Sequence, residues 1–158
     1  MTTKKLTLAA LFLALGLVLP FITGQIPNIG SMLLPMHFPV ILAGIIIDEK
    51  IAPIIGFILP LLRYALFGMP PIFPTGIAMA FELMTYALVI ALMYKHTKNV
   101  ILSLITSMIM GRIIWGIVMF IITKISFTAF ISAAFISAIP GIILQLILIP
   151  IILKLLKY

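Results

Sequence analysis

Leu33-Leu-Pro-Met-His-Phe-Pro-Val-Ile-Leu-Ala-Gly-Ile-Ile-Ile47, then Asp48-Glu49-Lys50, then Ile51-Ala-Pro-Ile-Ile-Gly-Phe-Ile-Leu-Pro-Leu-Leu-Arg-Tyr-Ala-Leu-Phe67, is the stretch on which the fold turns. Two apolar runs are divided by three consecutive charged residues. Such a triplet cannot rest in hydrocarbon. The runs are therefore two short helices joined at a membrane surface, not one long span. Outward from this pair, the same reading finds apolar runs at Leu6–Thr23, Thr75–Tyr94, Val100–Thr123 and Ser137–Leu156. About 20 apolar residues cross a bilayer core, and fewer suffice where neighbouring protein covers the ends. The expectation is an all-α, polytopic membrane protein with six transmembrane helices, folded as a single domain over residues 1–158.

Composition demands the same environment. The chain is 65% hydrophobic and 8% charged, with a mean hydropathy of +1.42. Soluble domains carry about 25% charged residues, so this chain cannot clothe a water-facing surface. It has no cysteine, which removes disulfides, thiol catalysis and cysteine metal sites. The net charge of +7 comes from 10 Lys+Arg against 3 Asp+Glu. Most of the basic residues stand singly or in pairs beside apolar runs, which is the pattern of membrane anchoring, not of nucleic-acid binding.

Those cations orient the chain. Lys4, Lys5, Lys50, Lys95, Lys98, Lys154 and Lys157 fall at one set of helix ends, and only Lys124 falls at the other. The positive-inside rule places the first set, and with it both termini, in the cytoplasm. Leu6–Leu19 after Lys4-Lys5 has the outline of a signal peptide, but bulky Pro20-Phe21-Ile22 replaces a cleavage site, so it reads as a retained first helix. The outward connections, Gly24–Gly30 and Gly68–Gly76, are uncharged and rich in Pro and Gly. They either lie in the headgroup layer or fold as lids over an outward cavity. No internal repeat of the transporter kind is present.

Ionisable and amide groups inside a membrane are costly and mark function by default. His37, Arg63, Glu82, Arg112 and Gln145 come from five predicted helices and fall in the outer half or near the midplane, together with Trp115. The inner half has almost no comparable groups. A few convergent polar groups among apolar walls make a small-molecule site. Trp115, Tyr64, Tyr86, Phe73 and Phe81 can wall a flat ring. Alternatives stand beside each. Arg63 and Glu82 can pair and fix two helices. Arg112 can bond carbonyls near Gly111 or Gly116, and Gln145 can act as interhelical glue. His37 and Trp115 can be interfacial or packing residues. Glu82 is the single embedded acid, and no HExxH, paired carboxylate, triad or phosphate loop is present, so neither catalytic residues nor metal ligands are assigned and no cofactor is expected.

The first helix adds a small-xxx-small step, Ala10 and Ala14, that lets another helix approach closely. With this helix, Leu34-Pro-Met-His-Phe-Pro-Val-Ile-Leu-Ala-Gly44, Gly56-Phe-Ile-Leu-Pro-Leu-Leu-Arg63, Phe67-Gly-Met-Pro-Pro71, Ala78-Met-Ala-Phe-Glu-Leu83 and Gly111-Arg-Ile-Ile-Trp115, essentially the whole chain resembles the substrate-binding S components of bacterial energy-coupling-factor (ECF) vitamin transporters. The resemblance implies a plasma-membrane subunit that binds a water-soluble vitamin from outside with high affinity and is not itself an enzyme. It implies that the Ala10/Ala14 face docks on a transmembrane coupling subunit driven by two ATPase subunits. The pattern looks most like branches assigned to vitamin B6 compounds or hydroxymethylpyrimidine. A pantothenate carrier is the rival, as is an accessory membrane subunit without ligand. The family's ligand contacts vary, so no binding residue transfers by motif. The binding-site expectation of His37, Arg63, Glu82, Tyr86, Arg112, Trp115 and Gln145 rests on depth and chemistry.

Overall fold

The computed structural model describes residues 3–23 and 32–156, and is helical with short connections. The helices are α1 (Thr3–Thr23), α2 (His37–Ile46), α3 (Ala52–Phe67), α4 (Ile77–Thr97), α5 (Val100–Thr123), α6 (Phe127–Ile131) and α7 (Ile139–Leu155). Wide helical turns at Ile72–Gly76 and Ser132–Ile136 lead into α4 and follow α6. No strand occurs among the described residues. The expected Gly24–Gly30 lid and Lys157 lie outside the described residues.

Six helices stand where six apolar runs were read, but they are not equal. Four helical stretches, Thr3–Thr23, Ile72–Thr97, Val100–Thr123 and Phe127–Leu155, are long and apolar enough to cross a membrane. α2 has 10 residues and α3 has 16. At 1.5 Å per residue α2 is about 15 Å long, half of a bilayer core. His37 and the run from Pro39 to Gly44 are buried, so protein covers most of this short helix. The last stretch begins earlier than the expected Ser137, because Ser126 caps a short helix by accepting a hydrogen bond from the Ala129 N–H.

Local chemistry sets the helix ends. Asp48 Oδ1 accepts from the backbone N–H groups of Lys50 (3.0 Å) and Ile51 (2.8 Å), starting α3. Gly68, at φ 71°, ends it in the left-handed conformation that glycine adopts without strain. Asn99 accepts from the Leu102 N–H and starts α5.

The centre of the bundle is α4, which packs against α2, α3 and α5. Close approach needs small residues. Ser103, Ser107 and Gly111 recur every fourth residue on α5 and are buried. A Cβ at Gly56 of α3 would sit 2.5 Å from the Leu83 carbonyl oxygen of α4. These backbones touch, which leaves α4 little freedom to slide.

The charged triplet clamps one end. Lys5 on α1 pairs with Asp48 at 2.5 Å, and Lys95 on α4 pairs with Glu49 at 2.7 Å. Burial raises the Asp48 carboxyl, but hydrogen bonds from Lys5, Ile51 and Lys50 outweigh it and leave its pKa below the ordinary 3.8. Glu49 is held below 4.5, chiefly by its bond from Lys95. Depressed carboxylates contribute stability above their unfolded values and lose it as pH falls through the folded ones. The clamp therefore holds at neutral pH and releases only below the ordinary carboxylate range. Asp48→Asn keeps the cap acceptor and loses the ion pair, at an expected cost of about 0.5 kcal/mol for a partly exposed pair. Asp48→Ala loses both, at about 1–2 kcal/mol. Thermal unfolding in detergent should rank the two in that order.

Candidate functional site

Glu82 lies on α4 five residues after Ile77, and Tyr86 follows one turn later on the same face. Both are buried, as are His37 at the first position of α2, Arg112 on α5 and Gln145 on α7. A single carboxylate oxygen joins Arg112 and His37. Glu82 Oε1 is 2.9 Å from Arg112 Nη1 and 3.4 Å from His37 Nε2. The His37 ring meets the Tyr86 ring edge-on at 5.0 Å between centroids. Tyr86 fits there because a glycine faces it: a Cβ at Gly111 would collide with the Tyr86 ring.

The cluster is balanced in charge but not in hydrogen bonds. The Arg112–Glu82 contact lacks hydrogen-bond alignment at Oε1. Among the described residues, nothing hydrogen-bonds to His37 Nδ1 or Nε2, Tyr86 Oη, Arg112 Nε or Nη2, or Gln145 Oε1 and Nε2. A buried polar atom without a partner costs about 1–3 kcal/mol. A packed protein does not gather this many at one place without something to satisfy them. Arg112 also lines two hollows. One, of about 200 Å³, is bounded by Met32, Leu34, Ala133, Ser137 and Ala138; the other, of about 130 Å³, lies among apolar residues of α5 and α7 with Phe135.

The remaining expected residues go elsewhere. Arg63 does not pair with Glu82, which corrects the reading of those two as a helix-fixing pair. It donates instead to the Leu17 carbonyl of α1 at 2.6 Å. The Arg63 guanidinium also stands 4.7 Å from the Phe21 ring centre and 5.6 Å from that of Phe67. Trp115 stacks on Phe130 at 6.3 Å between ring centres. Tyr64, Phe73 and Phe81 are exposed on the helix surfaces, so of the expected aromatic wall Tyr86 alone lies against the charged cluster. The sequence reading named Gly111 but not its role in seating Tyr86, and it missed Phe130. The four-residue spacing of Ser103, Ser107 and Gly111 was the available signal for the first.

Ala10 and Ala14 lie on the exposed side of α1, whereas Ala9, Phe12 and Gly16 face the bundle. No group of three potential metal ligands occurs among the described residues.

A family model described as "ECF transporter, substrate-specific component" matches residues 4–153. No curated protein and no solved structure matches the chain.

Proposed function

Because the chain belongs to the substrate-specific component family of ECF transporters, we propose that it is the high-affinity, membrane-embedded subunit that captures a water-soluble vitamin, a vitamin B6 compound or hydroxymethylpyrimidine first and pantothenate second. The family makes it a transport subunit and not an enzyme, and its long apolar helices make it a multi-pass membrane protein. The observation that carries the binding reading is the set of unpartnered polar atoms on His37, Tyr86 and Arg112 about Glu82, with those of Gln145 buried on α7. His37, Glu82, Tyr86, Arg112 and Gln145 form its polar floor. Arg63 and Trp115 act at its margin, holding α1 to α3 and α5 to α6.

In this reading the chain crosses a bacterial plasma membrane six times, with both termini in the cytoplasm. The lysine-rich ends and the Lys5–Asp48 and Lys95–Glu49 clamp then lie inside, and His37, at the opposite end of α2, lies toward the outside. The hollow beside Arg112 is lined by Met32, Leu34, Ala133, Ser137 and Ala138, which supports a ligand held beneath these two segments. Translocation is driven by a coupling subunit and two ATPase subunits that dock on the Ala10/Ala14 face.

Two measurements test this. Calorimetry on the purified protein with pyridoxine, pyridoxamine, hydroxymethylpyrimidine and pantothenate should find one tight ligand; binding by none removes the substrate assignment. Ala10→Leu with Ala14→Leu should abolish co-purification with the coupling module and leave ligand affinity within about twofold, because neither side chain enters the bundle. Lost affinity with intact assembly would reverse that division of labour.

A further inference from the structure

We infer that Arg112 selects the ligand, and that it does so by receiving two neighbouring oxygen acceptors on the Nε–Nη2 edge of its guanidinium. The inference rests on the binding-subunit reading above and narrows it to a substrate class: small molecules that present an oxygen pair, as a carboxylate or as adjacent hydroxyl groups.

A guanidinium carries five N–H donors in a rigid planar fork. Arg112 is buried, and one corner of its fork is occupied, with Nη1 2.9 Å from Glu82 Oε1. Along the other side, neither Nε nor Nη2 has a hydrogen-bond partner among the described residues. The N–H groups of that edge run parallel, at the spacing of two oxygens on one carboxylate. A lone acceptor satisfies one of them and strands the other, and a buried donor left unpaired is costly. An oxygen pair satisfies both, and it does so without taking Arg112 from Glu82.

Both hollows present this side chain to a ligand. In the hollow of about 200 Å³, the other polar side chain is Ser137, whose hydroxyl donates to the Ser132 carbonyl at 3.2 Å. Met32, Leu34, Ala133 and Ala138 make up the rest of that wall. In the hollow of about 130 Å³, every lining residue except Arg112 is apolar. Whichever hollow the ligand fills, the uncommitted side-chain donors on its walls belong to Arg112. His37, Tyr86 and Gln145 border neither hollow, so the protonation state of His37 does not enter. Both volumes fall below the roughly 300–1,000 Å³ of sites for drug-sized ligands, which suits a single ring or a short chain.

Two matched pairs of compounds test this by calorimetry on the purified full chain. In pyridoxine a ring hydroxyl stands beside a hydroxymethyl group. Pyridoxamine has an aminomethyl group there and so keeps one oxygen of the pair. Pantothenate ends in a carboxylate and pantothenol in a single hydroxyl. In whichever pair binds, the member with both oxygens should bind at least about tenfold more tightly, because its partner loses a hydrogen bond from a charged donor. Arg112→Lys keeps a cation beside Glu82 but has no fork, and should bring the two members within about threefold of each other. An Arg112 that served only the fold would weaken both members alike and leave their ratio unchanged. Equal binding of the two members by the wild-type protein overturns the inference, and so does a ratio that survives Arg112→Lys. Where Arg112→Lys fails to fold, the wild-type ratio decides by itself. Tight binding of hydroxymethylpyrimidine, which sets an amino group beside its hydroxymethyl, also overturns the inference and leaves the binding-subunit reading intact. Failure of all these compounds to bind overturns both.

Discussion

Arg112→Met is expected to destabilise the folded protein by on the order of 3–5 kcal/mol, because it leaves Glu82 buried with no guanidinium beside it. His37, at 3.4 Å from the same oxygen, compensates only if it takes up a proton. The variant should also lose ligand binding, since Arg112 bounds both hollows and carries two of the unpartnered donors.

The double variant Glu82→Gln, Arg112→Met separates the two losses. Removing both charges of a buried pair is often close to neutral for stability, whereas removing one is costly. Most of the lost stability should therefore return in the double variant, while affinity should not, because the donors have gone with the guanidinium. Thermal unfolding in detergent gives the first quantity and calorimetry the second. If affinity returned together with stability, the pair would be a folding device and the ligand would lie elsewhere. If Arg112→Met unfolded at the wild-type temperature, the charges would be solvated and the burial argument would fail.

How much of this could be read from the residues follows from what each signal measures. Hydrophobic runs report what a segment touches, so the places of α1, α3, α5 and α7 emerged within a few residues of their observed bounds. They do not report where a helix begins, so α2, read as a short span over Leu33–Ile47, is shorter still at 10 residues: its apolar run extends back to Leu33 before the helix begins at His37. Depth along each helix put His37, Glu82, Arg112 and Gln145 in the outer half or near the midplane, and the structure buries all four. Depth does not report direction around the helix axis. Arg63 shares the outer half with Glu82, yet points to α1 and donates to the Leu17 carbonyl. Trp115 shares a helix with Arg112 and turns to Phe130. Without charged and apolar faces to contrast, a helix that is apolar all round hides its own rotation. Only the small residues betray it, and they were read on α1 but not on α5.

Small residues also carry the other large effect. Gly56→Ala adds one methyl group at the α3–α4 contact, and that methyl would sit 2.5 Å from the Leu83 carbonyl oxygen, 2.6 Å from its carbon and 2.9 Å from the Met84 nitrogen. All three are backbone atoms of a helix and cannot rotate aside, so the two helices must part. Overpacking of this kind costs about 1–3 kcal/mol, and more where nothing can yield. The displacement begins at the residue after Glu82, whose carboxylate is held to Arg112 at 2.9 Å and to His37 at 3.4 Å. Stability and ligand affinity should therefore fall together. Gly68→Ala is the matching control at the far end of the same helix. There a Cβ meets nothing within 4 Å, but the φ of 71° is one that alanine adopts reluctantly. It should cost about 1–2 kcal/mol of stability and leave affinity unchanged in the protein that remains folded. A Gly56→Ala protein that melts and binds like the wild type would mean that α3 and α4 are not seated backbone to backbone. A Gly68→Ala protein that loses affinity at full stability would mean that the turn after α3 itself takes part in binding.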